Sequence, residues 1–207
     1  MGAELMKNPE AVRDILRTLR LNLPPEKSVT CKIRLLPEPR DTVEFCRMVE
    51  QCGVTAVAVH GRTRDERDQH PAKWEQIALV KSALSCPVVL NGDVFCFGDF
   101  ERALRETGVD AVMTARGALA NASIFAADGG TDVLSVARRY VEVAGRLSNN
   151  FQNTKWTVLR MLGGVSRKEK QHKDVMERIT NCREHAGLVA ILGGHEAAEC
   201  AAKKQRL

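Results

Sequence analysis

The sequence predicts an α/β fold: a parallel sheet of successive strand–helix units, followed by a helical appendage. Three observations carry that expectation. Strand-like and helix-like segments alternate up to Phe125, with strand starts roughly 25–30 residues apart. The strands are largely uncharged, as parallel strands covered by helices are. There is also an internal repeat. CGVTAVAVHGR (Cys52–Arg62) aligns with TGVDAVMTARG (Thr107–Gly117), sharing Gly-Val-x-Ala-Val at an offset of 55, which suits a βα barrel of similar modules.

The elements follow in order. Ser28–Leu35 is β-branched and apolar, a strand. Asp41, with Glu44 three residues on, has the form of a capping box and opens a helix. Phe45, Cys46, Val49 and Cys52 fall on one face of it, and Gly53 ends it. Thr55–Val59 is the second strand. Pro71–Leu84 reads as a helix, Pro87–Leu90 as a third strand, Phe97–Thr107 as a helix and Asp110–Thr114 as a fourth strand. Ala126–Asp132 (AADGGTD) is a linker. Amphipathic helices are expected over Thr131–Leu147, capped by Thr131, over Thr154–Leu162 and over Ser166–Ala186. The expected domains are therefore residues 1–127 and 131–207.

Composition narrows the classes. The chain has 207 residues, 44% apolar and 28% charged, enough for one globular domain with an appendage. No apolar run approaches a membrane span, and the start carries acids where a secretory signal has its apolar region. Seven cysteines, odd in number and without framework spacing, point to reduced thiols in a cytosolic or nuclear setting, and the expected localisation is cytoplasmic. Residues 1–150 hold 20 basic and 20 acidic residues, whereas residues 151–207 hold 11 and 6, so the whole net charge of +5 lies in the last part. Two readings stand: a tail that meets an anionic partner, or a solvated helical face.

In α/β folds the chemistry gathers at the carboxyl ends of the parallel strands. The first strand brings Lys32 and Arg34. The second is followed by His60, Gly61, Arg62 and Arg64, the third by Asn91, Gly92 and Asp93, the fourth by Ala115, Arg116 and Gly117. Glycine turns leading into helices suit a phosphate cradle, and Lys32 and Arg116 would add cationic donors. Each feature has a plainer reading: a solvent-facing lysine, an ordinary Asn-Gly turn, a structural histidine, arginines paired with Asp65 and Glu66. Four polar exits on one rim favour an anionic ligand.

Taken together, CKIRL, AVHGRTR, VVLNGDV and TARGALANASIF, in this order and spacing, resemble the tRNA-dihydrouridine synthases. MGAELMKNPEAVRDIL and NNFQNTKWTVLRML look most like the eukaryotic dihydrouridine(20) branch. The resemblance implies the second half of a TIM (β/α)8 barrel, four βα units, followed by an α-helical tRNA-binding domain. It implies FMN as cofactor, NADPH as reductant, tRNA as partner and reduction of a D-loop uridine. By resemblance, Lys32, His60, Asn91, Gly92, Asp93, Ala115 and Arg116 hold FMN. Arg62 and Arg64 face the entering RNA, with Lys155, Arg167 and Lys168 on the helical domain. A carboxylate at Asp93 adds negative charge beside a phosphate unless it points away.

The family's Asn-x-x-Cys-Pro segment, whose cysteine protonates the uracil ring, has no counterpart here, and Cys86-Pro87 lacks its context. The chain thus looks like the carboxyl-terminal portion of such an enzyme, without a catalytic residue, binding flavin weakly and not reducing uridine. Two rivals remain: another FMN-dependent barrel oxidoreductase, and a non-catalytic RNA-binding fragment. Cys182, His185, His195 and Cys200 are too irregularly spaced to assign zinc. Tyr140, Phe151 and Trp156 either stack on bases or pack.

Overall fold

The computed structural model describes residues 2–128, 130–164 and 172–193. Two helices come first, the short α1 (Gly2–Leu5) and α2 (Pro9–Asn22). Neither helix is among the expected elements, yet the signals of α2 are ordinary ones. Asn8 Oδ1 accepts from the Ala11 amide at 3.1 Å, and Pro9 occupies the first turn, where a missing N–H costs nothing. Val12 and Leu16, one turn apart, are buried.

Four strands then form one parallel sheet in the order β1 (Thr30–Leu35), β2 (Ala56–Thr63), β3 (Val88–Asn91), β4 (Ala111–Met113). Helices α3 (Pro39–Gln51), α4 (Trp74–Ala83) and α5 (Phe97–Thr107) alternate with them. This is the expected α/β architecture of parallel strands and intervening helices. Because the strands are parallel, their carboxyl ends lie along one rim.

Alternation along the strands divides the sheet. Ile33, Leu35, Val57, Val59, Val88 and Leu90 form one face and are at most 4% exposed. They pack with Phe45, Cys46 and Val49 of α3, Ile77 and Val80 of α4 and Ala103 of α5. Burying each such side chain favours folding by about 1.5–3 kcal/mol. A one-residue slip would turn the whole row outward, so this cluster fixes the register. Lys32, Arg34, Ala58, His60, Val89 and Asn91 alternate to the other face and take no part in the cluster.

Three boundaries differ from expectation. β2 does not stop at Val59. Arg34 pairs with His60 but Leu35 with Thr63, so Gly61 and Arg62 are extra residues in a bulge that carries the strand to Thr63. α3 starts at Pro39 rather than Asp41, because proline is preset for the first turn. Its cap residue Glu38 makes no side-chain bond, and Glu44 pairs with Arg40 at 3.0 Å instead of closing a capping box. α4 starts at Trp74 rather than Pro71, since the Ala72 amide goes to Asp93 (2.7 Å) and the Lys73 amide to the Gly61 carbonyl (2.7 Å).

The chain divides into two compact units. The first holds residues up to Val94 together with Gly98–Ala115, and the second holds Phe95–Phe97 and the chain from Arg116 onward. The second unit is helical: α6 (Arg116–Ala120), a 3-10 turn (Ala122–Phe125), α7 (Val133–Arg146), α8 (Phe151–Leu162), α9 (Lys173–Asn181) and a helical stretch over residues 185–193. Asp132, not Thr131, caps α7, accepting from the Leu134 and Ser135 amides at 3.0 and 3.1 Å. Asn150 caps α8 in the same way, so that helix opens at Phe151 rather than Thr154. The single helix expected to Ala186 is interrupted, since Cys182 is extended. Ala137, Val141, Val158, Met161, Val175, Ile179 and Leu188 make this unit's own core.

Candidate functional site

The open face of the sheet presents its side chains in two layers. Lys32, Ala58, Val89 and Ala111 are in register across the four strands, and so are Arg34, His60, Asn91 and Met113 one layer nearer the rim. Layers two residues apart are about 6.6 Å apart, and adjacent strands about 4.8 Å. Lys32, His60 and Asn91 therefore share one face of three neighbouring strands.

Each of these groups has a distinct electrostatic state. Lys32 is exposed, has no hydrogen-bond or ion-pair partner among the described residues, and its pKa is lowered, first by partial desolvation on the sheet and then by Arg34. His60 is pushed down to about 4, first by burial and then by Arg34, Lys32 and Arg62, with Asp93 opposing. The ring is thus neutral at pH 7. An Arg62 Nη1 donates toward His60 Nε2 at 3.3 Å, and since a guanidinium only donates, Nε2 is the acceptor and the proton sits on Nδ1. Asn91 is buried and donates from Nδ2 to the Met113 carbonyl at 2.9 Å, tying β3 to β4 at the rim.

Beyond Asn91 the backbone turns sharply. Gly92 has φ +122°, and a Cβ there would stand 2.9 Å from Ala72 Cβ and 3.1 Å from His60 Cδ2. Only glycine fits. The turn is pinned from behind, where Trp74 Nε1 donates to the Gly92 carbonyl at 2.9 Å. Asp93 follows in the left-handed region at φ 54°. Its carboxylate takes two bonds from Arg62 Nη2 (2.5 and 2.7 Å) and one from the Ala72 amide (2.7 Å). The negative charge expected to trouble a phosphate is therefore turned back and neutralised.

Arg62 is where expectation and structure part. Placed by resemblance toward RNA, it is only 2% exposed, and its Nε donates to the His70 carbonyl at 2.6 Å while the rest of the guanidinium faces His60 and Asp93. The bulge in β2 directs it inward. Arg34 is likewise occupied, donating to the carbonyls of Thr63 (2.8 Å) and Glu66 (3.3 Å). Arg64 remains half-exposed and is ion-paired with Glu4. Lys73 holds Glu66 at 2.6 Å, and that bond together with the Thr63 amide brings the Glu66 pKa to about 2.

Ala115 is exposed at the end of the sheet unit, and Arg116 opens α6 in the helical unit, its guanidinium 5.1 Å from the Phe95 ring. Lys155 does not reach outward. Its Nζ donates to the carbonyls of Thr180 (2.5 Å) and Cys182 (3.0 Å), closing the carboxyl end of α9. Arg167 and Lys168 lie outside the described residues, as do His195 and Cys200. His185 packs edge-on against Phe151 and lies 3.2 Å from the Thr154 hydroxyl. Among the described residues no three His, Cys, Asp or Glu side chains group as metal ligands, and no helix is long and apolar enough to cross a membrane.

The thiols of the sheet unit belong to its core side. Cys46 and Cys52 are buried on α3 and beside it, and Cys31 and Cys86 pack against the same cluster. Burial raises the pKa of Cys31 and Cys86, and pushes Cys46 up to about 12. None stands on the face that carries Lys32, His60 and Asn91.

A profile described as Dihydrouridine synthase (Dus) matches residues 1–191. Among curated proteins, a human tRNA-dihydrouridine(20a/20b) synthase [NAD(P)+]-like protein is 41% identical over 126 residues, covering 60% of this chain and 39% of its own length. The tRNA-dihydrouridine(20) synthase [NAD(P)+] of Schizosaccharomyces pombe is 33% identical over 173 residues, 81% of this chain and 36% of its own. A rat tRNA-dihydrouridine(16/17) synthase [NAD(P)(+)]-like protein is 42% identical over 108 residues, 51% and 24% respectively. The chain thus spans about two fifths or less of these relatives.

Proposed function

The chain belongs to the dihydrouridine synthase family, and on that premise we propose that it carries the flavin and RNA sites of an FMN-dependent tRNA-dihydrouridine synthase. One observation supports this most: Lys32, His60 and Asn91 share the open face beside a turn at Gly92 that admits no side chain. An ammonium without a partner among the described residues, a neutral imidazole and a buried amide form a donor set that fits a phosphorylated, electron-rich ring system. Lys32 would hydrogen-bond the flavin, His60 would hold its ring, and Asn91 and the Gly92 turn would receive the phosphate. Asp93 and Arg62 would fix that turn from behind rather than touch ligand or RNA. The roles of Ala115 and Arg116 rest on the resemblance alone, and so do RNA contacts by Arg64, Arg167 and Lys168. When bound, FMN supplies hydride transfer from NADPH to the uracil ring of a tRNA uridine. The six described cysteines are all free, as suits a cytoplasmic enzyme.

Among the described residues β1 and β4 are sheet edges, so the sheet contacts a ligand from one side. Flavin binding by this chain is accordingly expected to be weak. Titrating FMN against the chain while following flavin absorbance tests the site. Weak, saturable perturbation that Gly92→Val removes is the expected result, and no perturbation by the unaltered chain would sink it. A second reading, a non-catalytic RNA-binding piece, is favoured by the position of Cys31, Cys46, Cys52 and Cys86 in or against the core of the sheet unit. Assaying dihydrouridine formation from NADPH and unmodified tRNA separates the two, and no turnover is expected from this chain.

A further inference from the structure

Three aromatic side chains of the helical unit invited a base-stacking role, and the structure separates them. Tyr140 and Phe151 pack against the helical core. Trp156 does not: it is 58% exposed, while Val158, Met161 and Leu162 of the same helix are at most 4% exposed. No other large apolar side chain of α8 is exposed. Arg160, one turn on, places its guanidinium 5.4 Å from the indole and has no ion pair among the described residues. Gln152 and Asn153, also exposed, lie one turn back on the same stripe. α8 (FQNTKWTVLRML) contains no carboxylate.

We propose that this stripe is a stacking platform for one unpaired RNA base. Trp156 takes the face of the base, Arg160 the adjoining phosphate, and the amides of Gln152 and Asn153 the base edge. This rests on the reading that RNA is the partner. The stripe favours that occupant over an apolar protein surface, because the exposed indole shares it with a cation and two amides rather than with further large apolar groups. A base offers a π-face to the ring and a charge to the guanidinium, and the chain beyond Phe151 carries the positive charge that attracts it.

The test uses the full chain with dye-labelled unmodified tRNA and a dye-labelled oligouridylate, followed by anisotropy. Trp156→Ala should weaken oligouridylate binding about tenfold, equivalent to about 1.4 kcal/mol. Trp156→Phe should stay within about threefold, since a smaller ring still stacks. Arg160→Gln should lower affinity and reduce the salt slope by about one. An unchanged melting curve for Trp156→Ala excludes unfolding as the cause. If both RNAs bind Trp156→Ala as tightly as the unaltered chain, the platform is overturned while the tRNA reading stands. If oligouridylate depends on Trp156 but tRNA does not bind, the platform stands and that reading fails. If neither RNA binds the unaltered chain, both fall.

Discussion

Arginines beside the two candidate sites are used in opposite ways, as Arg62 of the sheet unit and Arg160 of the helical unit show. In the sheet unit the arginines nearest the strand exits turn inward: Arg34 ties two loop carbonyls, and Arg62 ties His70 and Asp93. In the helical unit Arg160 stays at the surface with an indole as its neighbour. The difference follows from what surrounds them. A bulged strand end with a tight turn leaves many backbone carbonyls to satisfy, and a five-donor guanidinium satisfies several at once. A regular helix satisfies its own backbone, so a cation on it is drawn in only where a neighbouring helix breaks off, as Lys155 is at the end of α9, and Arg160 is not. Cationic residue types near a strand end therefore say less about ligands than the hydrogen bonds left over once the loops are satisfied.

The sharpest way to break this contrast is Arg62→Met. If Arg62 is structural, removing it strands the Asp93 carboxylate and should cost about 3 kcal/mol in urea unfolding. A loss below about 1 kcal/mol would return Arg62 to the ligand-facing group. Gly92→Ala comes next, with a side chain forced into positive φ against Ala72 and His60, and about 2 kcal/mol of stability should be lost together with the flavin signal. Lys155→Met tests the helical side. Losing its two carbonyl bonds at the end of α9 should cost about 1 kcal/mol by thermal melting, with little change in RNA affinity. The smallest effect is a slope with pH. The unfolded chain takes up a proton on His60 near its ordinary 6.5, whereas the folded chain resists until about 4. The stability that depends on a neutral His60 is complete above pH 6.5 and declines as pH falls from 6.5 to 4. His60→Gln should flatten that part of the unfolding profile.

Strand and helix alternation, the parallel sheet and the common rim of His60 and Asn91 were legible in the sequence, because each follows from local periodicity and from strands ending on one side; that both lie inside their strands, on one face, was not. The inward course of Arg62 was not. It depends on two extra residues in β2, Gly61 and Arg62, that have no partner on β1; the one mark of a bulge in AVHGRTR is Gly61, which reads equally well as a strand exit. The neutralisation of Asp93 depends on the same bulge. Lys155 was misplaced for a similar reason: its acceptors, Thr180 and Cys182, are carbonyls freed where a helix expected to continue breaks off. The start of α2 was legible and missed, since Asn8-Pro9 is an ordinary cap and first turn.

The tryptophan that pins the Gly92 turn has an optical consequence. The chain has two tryptophans, Trp74 in the sheet unit and Trp156 in the helical unit. Trp74 is partly buried, donates its indole N–H to the turn and lies 4.8 Å from the Arg102 guanidinium. Its emission should respond to whatever moves that carbonyl, while iodide should quench Trp156 first. One molecule thus carries a separate intrinsic fluorophore at each of its two candidate sites, and unlabelled protein can report which of them a ligand reaches.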